Sequence, residues 1–179
     1  RPVIWIEEEA ELLRKGGEKV TPRSVWDTEP EQLVGAECLP SPALTAEVRD
    51  ILQAILSDVL TSKDLKDSRE FYGTEADRNL TLFDGYDLAW PKGFRPATHG
   101  YKVVLPDPFD HPRRVLGVRL DRFDLKQKEG IVLDAPIHVC LFNARGSANG
   151  GVIGGCTVCY APKKVGGRWT VECLGWNDP

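Results

Sequence analysis

The sequence predicts an α+β fold, with N-terminal helices packed on one curved antiparallel sheet of about six to seven strands. Three observations lead there. A segment starting at Thr45 carries one apolar stripe at helical spacing. From Asn79 onward the apolar residues change to period two. The last third, Pro136 to Trp176, divides into three runs rich in strand formers, joined by short glycine-rich connections.

In chain order, Ile4–Lys15 (IWIEEEAELLRK) reads as an amphipathic helix, with glutamates early, Arg14-Lys15 late, and Gly16-Gly17 as its stop. Prolines 22, 30, 40 and 42 break the stretch from Val20 to Pro42, within which Glu29–Gly35 suits a short helix with Pro30 at its first position. Residues 1–43 are thus expected to form a leader packing on a single α+β domain spanning 44–179. Thr45–Leu60 is the clearest helix, with Thr45 as its cap and Val48, Ile51, Leu52, Ile55 and Val59 on one face. Lys63–Tyr72 adds a shorter helix stopped at Gly73.

Leu80 and Leu82 alternate with polar residues, Asp84-Gly85 offers a turn, and Tyr86–Trp90 reads as the returning arm of a small hairpin. Strands follow at Tyr101–Leu105 and Val115–Leu125, the latter with Ile131–Leu133 as a short returning partner. The three final strands are Pro136–Ala144, Val152–Ala161 and Arg168–Trp176. Centring the turns on Ala148 and Gly166 puts Ile137, Val139, Leu141, Ile153, Thr157, Cys159, Trp169, Val171 and Cys173 on the face that meets the Thr45 helix. His138, Cys140, Phe142, Val152, Cys156, Val158, Tyr160, Thr170, Glu172 and Leu174 then form a mixed second face. A one-residue slip in either turn swaps the faces of a strand. Gly154-Gly155, placed inside the middle strand, is expected to mark where the sheet curls and leaves a concavity. The outline matches cystatin-like and NTF2-like helix-plus-curved-sheet folds as an architectural analogy only, since no motif carries a family.

Composition narrows the function classes. A chain of 179 residues, 41% hydrophobic and 28% charged, has a globular profile. Its net charge of −4 offers no basic stripe for nucleic acid, and no apolar run approaches the ~20 residues of a membrane span. The chain opens on Arg1 and contains no methionine, which favours an extracytoplasmic or secreted protein whose export signal was removed; a trimmed boundary would look the same. The five cysteines allow two cross-strand bridges, Cys140–Cys156 and Cys159–Cys173, with Cys38 left over; the simpler account is five buried thiols. Cys156-Thr-Val-Cys159 has CxxC spacing, but its sulfurs would face opposite sides of a strand, so no metal or other cofactor is expected.

The candidate chemistry is sparse. His99, His138 and Glu172 are the catalytic candidates, because an imidazole beside a carboxylate makes an acid–base pair. The ligand-binding candidates are Tyr160 and Thr170 on the mixed face, with Arg122 at a strand end suited to an anion. Asp107, Asp110 and His111 could hold a metal, although the prolines around them suit a rigid turn instead. Gly146–Gly151 has the composition of a phosphate cradle but lacks the Lys-Ser/Thr and the following helix of a P-loop. The expectation is therefore a non-enzymatic module that binds a small molecule or a protein through the mixed face of a curved sheet, with homodimerisation through that face as one outcome. The alternative is a small cofactor-independent enzyme with a His/carboxylate pair in the concavity.

Overall fold

The computed structural model describes residues 41–85, 88–104, 114–123, 126–128, 131–133, 136–144 and 154–177. The expected leader helices at 4–15 and 29–35, the loop at 106–112 and the glycine turn at 146–151 lie outside these residues.

Helix α1, Ala46–Thr61, begins where the sequence placed it. The Thr45 hydroxyl accepts a hydrogen bond from the Val48 amide at 3.2 Å, satisfying one of the amides a helix start leaves unpaired. Its stripe of Val48, Ile51, Leu52, Ile55, Leu56, Val59 and Leu60 is buried, and burial of each large member contributes ~1.5–3 kcal/mol before ordering entropy is subtracted. The far end of α1 is closed by a side chain from the next helix, α2 (Lys66–Tyr72). Buried Arg69 donates to the carbonyls of Val59 (3.0 Å) and Ser62 (2.7 Å) and pairs with Glu75. Helix α2 ends at Gly73, as expected, with the Gly73 amide on the Arg69 carbonyl.

Among the described residues eight strands follow: β1 (Asn79–Phe83), β2 (Lys102–Val103), β3 (Leu116–Arg122), β4 (Lys126–Lys128), β5 (Ile131–Leu133), β6 (Ile137–Asn143), β7 (Cys156–Val165) and β8 (Arg168–Asn177). Six form one curved sheet, a half-barrel in the order β2-β1-β3-β6-β7-β8. The α+β class stands, but the sheet is mixed rather than purely antiparallel, because β1 runs parallel to both β2 and β3. The expected Leu80–Trp90 hairpin supplies only its outgoing arm. Asp84 is buried and accepts the Trp90 amide, and the Trp90 indole N–H is shared between the carbonyls of Phe83 and Val118 at 3.1 and 3.2 Å. Trp90 therefore fills the core, stacked on Phe94, instead of returning as a strand. Segment 131–133 pairs with β4 in a separate two-stranded ribbon, not with the body of β3.

The last three strands form the antiparallel run that the sequence predicts, with one correction of faces. Val139 lies opposite Val158 and Leu141 opposite Cys156, so Cys156, Val158 and Tyr160 share the α1 side with Ile137, Val139 and Leu141. Relative to a turn centred on Ala148, β7 is offset by one residue. The apolar content decides this: Cys156, Val158 and Tyr160 fill the core better than Thr157, Cys159 and Ala161. The expected Cys140–Cys156 and Cys159–Cys173 pairings fall with the register, since each pair now straddles the sheet, and none of the four is in a disulfide. Cys38 lies outside the described residues.

The curl is also placed differently. Gly154, at φ +76°, precedes β7 rather than interrupting it, and register shifts occur instead at Leu120–Arg122 and Cys159–Tyr160. The β7–β8 turn is a tight two-residue one on Gly166-Gly167, whose φ of +57° and +79° only glycine, Asn or Asp adopt readily. The side of the sheet away from α1 is not uniformly open. Phe83, Val104, Val115, Cys140, Phe142 and Ala144 form a second buried cluster there, with Phe83 and Phe142 edge to face. Gly117 lies flat beneath Phe142, where an added Cβ would stand 2.7 Å from the ring.

Candidate functional site

The face away from α1 stays accessible towards the β7–β8 end, and the bulge at Asp121 decides what it presents. Regular alternation would place Arg122 with the buried Val118 and Leu120. The register shift instead sets Arg122 opposite His138, on the outer face. His138 in turn lies opposite Cys159, with Nε2 3.6 Å from Sγ. Arg122, His138 and Cys159 thus form a row across three strands. Burial pushes the Cys159 thiol up from its ordinary value, nearby Cys173 adds to that, and Arg122 pulls the other way. A raised thiol is a protonated one near neutral pH, so the row is not an activated thiolate.

Further out, Thr170 and Glu172 share this face on β8, both exposed. The Thr170 hydroxyl donates to the Lys163 carbonyl, and Glu172 forms an ion pair with Lys163. Three apolar side chains of these two strands are also exposed, Val165 (62%) beside the turn and Leu174 (56%) and Trp176 (45%) towards the far end of β8. A search for catalytic side chains passes over these residues, although alternation alone places Leu174 on the mixed face.

Two of the expected site residues are elsewhere. Tyr160 is fully buried on the α1 side, and its hydroxyl donates to Asp58 Oδ2 at 2.8 Å. Burial, and then the bond to Asp58, pushes the phenol far up, so Tyr160 ties the sheet to α1 and is not on the mixed face. His99 sits on an exposed turn with φ +50°, its Nε2 2.9 Å from Ser57 Oγ on α1. Among the described residues, neither His99 nor His138 has a carboxylate partner, and Glu172 is not brought to either. No group of three His, Cys, Asp or Glu side chains there has the geometry to hold a metal, and Asp107, Asp110 and His111 lie outside those residues. No described helix is long and apolar enough to cross a membrane.

Strand β8 closes the sheet on one side. It is ten residues long and, among the described residues, pairs only with β7, so it is an edge of the described sheet. It is held against α1 by Trp169, Val171 and Cys173, and by Lys164 of β7, which pairs with Glu47 at 3.2 Å and lies over the Trp169 ring. The Trp169 indole N–H is buried and has no hydrogen-bond partner among the described residues.

No protein-family model, curated protein or solved structure matches this chain.

Proposed function

We propose that this chain is a non-enzymatic binding module that receives an extended protein segment along the open β7–β8 end of its sheet. The observation that carries the reading is β8 itself, a ten-residue edge strand of the described sheet that carries the exposed Leu174 and Trp176 near its C-terminal end. An edge strand presents a row of backbone donors and acceptors that another extended chain can pair with, and flanking apolar side chains add affinity. Thr170, on the outer face of β8 itself, would add a polar contact, whereas Arg122 lies three strands further in.

The test is selection of a random-peptide display library on the intact chain and on a Leu174→Asp/Trp176→Ser variant. Both positions are exposed, so the variant should keep its fold. Peptides that bind the wild type and lose binding to the variant support the reading. Peptides insensitive to the change refute it, and so does the selection of no peptide by a chain that is monomeric.

A further inference from the structure

We infer that the strand received at this edge is β8 of a second copy of the same chain, joined antiparallel about a two-fold axis through Thr170. The inference rests on the binding reading above and supplies its partner. Arg168, Thr170 and Glu172 occupy one face of β8, and Trp169 and Val171 the other. Antiparallel pairing about a two-fold axis normal to the sheet puts like faces together, so only registers that pair these sets among themselves are allowed.

One register is self-complementary throughout. With Thr170 opposite the partner's Thr170, Arg168 stands opposite the partner's Glu172, and Glu172 opposite the partner's Arg168. On the other face Trp169 stands opposite the partner's Val171, and Val171 opposite the partner's Trp169. Opposite charges, an aromatic against a β-branched residue, and Thr on Thr are the cross-strand pairs that stabilise a sheet. The neighbouring registers fail on charge. Centring on Glu172 sets it against the partner's Glu172, and centring on Val171 leaves Arg168 facing the partner's Leu174.

Charged side chains on an edge strand usually deter such pairing. Here the two charges of β8 have opposite sign and are four residues apart, so antiparallel approach turns deterrence into attraction. Arg168 and Glu172 are both exposed, and the existing Lys163–Glu172 pair leaves Glu172 half accessible. The register shift between Cys159 and Tyr160 falls opposite Leu174, so β8 is regular over the residues this seam uses. Beyond them, Leu174 runs past the partner's Gly166 and the partner's Gly167, which have no side chains to obstruct it.

The experiment is sedimentation velocity of the intact chain across micromolar concentrations, with Arg168→Glu, Glu172→Arg and the double exchange. The wild type should show a concentration-dependent dimer. Each single reversal creates two like-charged contacts, one per half of the seam, and should weaken association about tenfold or more. The double exchange should restore it. Should a single reversal fail to fold, Arg168→Gln and Glu172→Gln make the same comparison with a smaller loss. A wild type that stays monomeric, single variants that dimerise unchanged, or a double exchange that does not recover would each overturn the inference. A monomer that still selects peptides in a Leu174/Trp176-dependent way overturns only the choice of partner. Loss of both removes the binding reading too.

Discussion

Tyr160→Phe removes one hydroxyl from the joint between α1 and the sheet, and its effect can be worked out at two pH values. The Tyr160 side chain is fully buried, and its hydroxyl makes the 2.8 Å bond to Asp58. A hydrogen bond to a carboxylate contributes ~1.5–3 kcal/mol net. Asp58 is only partly buried, so water can replace the lost donor, and the cost should lie near the low end of that range. For a chain of this length, ~2 kcal/mol corresponds to a fall in Tm of about 4–8 °C. The pH dependence supplies the sharper test. Burial and Asp58 raise the phenol above its ordinary value, so the native state keeps the proton after the unfolded chain starts to lose it near pH ~10. Above that pH the unfolded state binds fewer protons, and stability falls by up to ~1.4 kcal/mol per pH unit. The Tyr160 contribution is therefore whole at about pH 8 and reduced by ~1.4 kcal/mol at about pH 11. The Tyr160→Phe variant has no phenol at this position and escapes that loss. Urea unfolding of both proteins at the two pH values gives the difference directly, and the raised thiols of Cys140, Cys159 and Cys173 cancel in it. A difference between wild type and variant that is negligible at about pH 8, or the same at both pH values, would refute the buried Tyr160–Asp58 joint.

Other perturbations follow from the same packing. Gly117→Ala should cost ~1–3 kcal/mol by overpacking against the Phe142 ring, and Phe142→Leu in the same chain should recover part of that loss in a double-mutant cycle read by urea midpoints. Arg69→Met should cost ~2–4 kcal/mol, because the carbonyls of Val59 and Ser62 lose their donor at the end of α1; a loss below ~1 kcal/mol in thermal melts would mean water serves them as well. Native iodoacetamide labelling at about pH 8, read by mass spectrometry, should leave Cys140 and Cys156 unmodified and label Cys159 slowly, with the Cys159 rate still rising with pH, since burial holds its thiol up and Cys140 up to about 11. Fast labelling of Cys140 in folded protein would contradict its place in the Phe83–Phe142 cluster.

Much of this architecture was legible in the residues alone. The start of α1, its buried stripe, the Gly73 stop and the three final strands all follow from local rules: a hydroxyl to cap a helix, a 3.6-residue period to bury a face, a glycine to end a helix, and the Gly166-Gly167 pair where the last turn needs positive φ. The α+β class followed from the order of those elements. What only the tertiary structure decided were relations between elements. β1 joins two parallel neighbours while Trp90 is drawn into the core, and no local signal distinguishes an indole that plugs the interior from one that continues a hairpin. The β6–β7 register is off by one residue from a turn-based count, and the bulge at Asp121 moves Arg122 to the outer face. Side chains alternate with a period of two, so a single-residue offset reverses a whole strand, and the choice is made by the summed burial of residues far apart in the chain. For that reason the sequence could name His138, Arg122, Thr170 and Tyr160 as candidates, but only the folded sheet could set Arg122 beside His138, turn Tyr160 inward to Asp58, and place β8 at the margin of the described sheet.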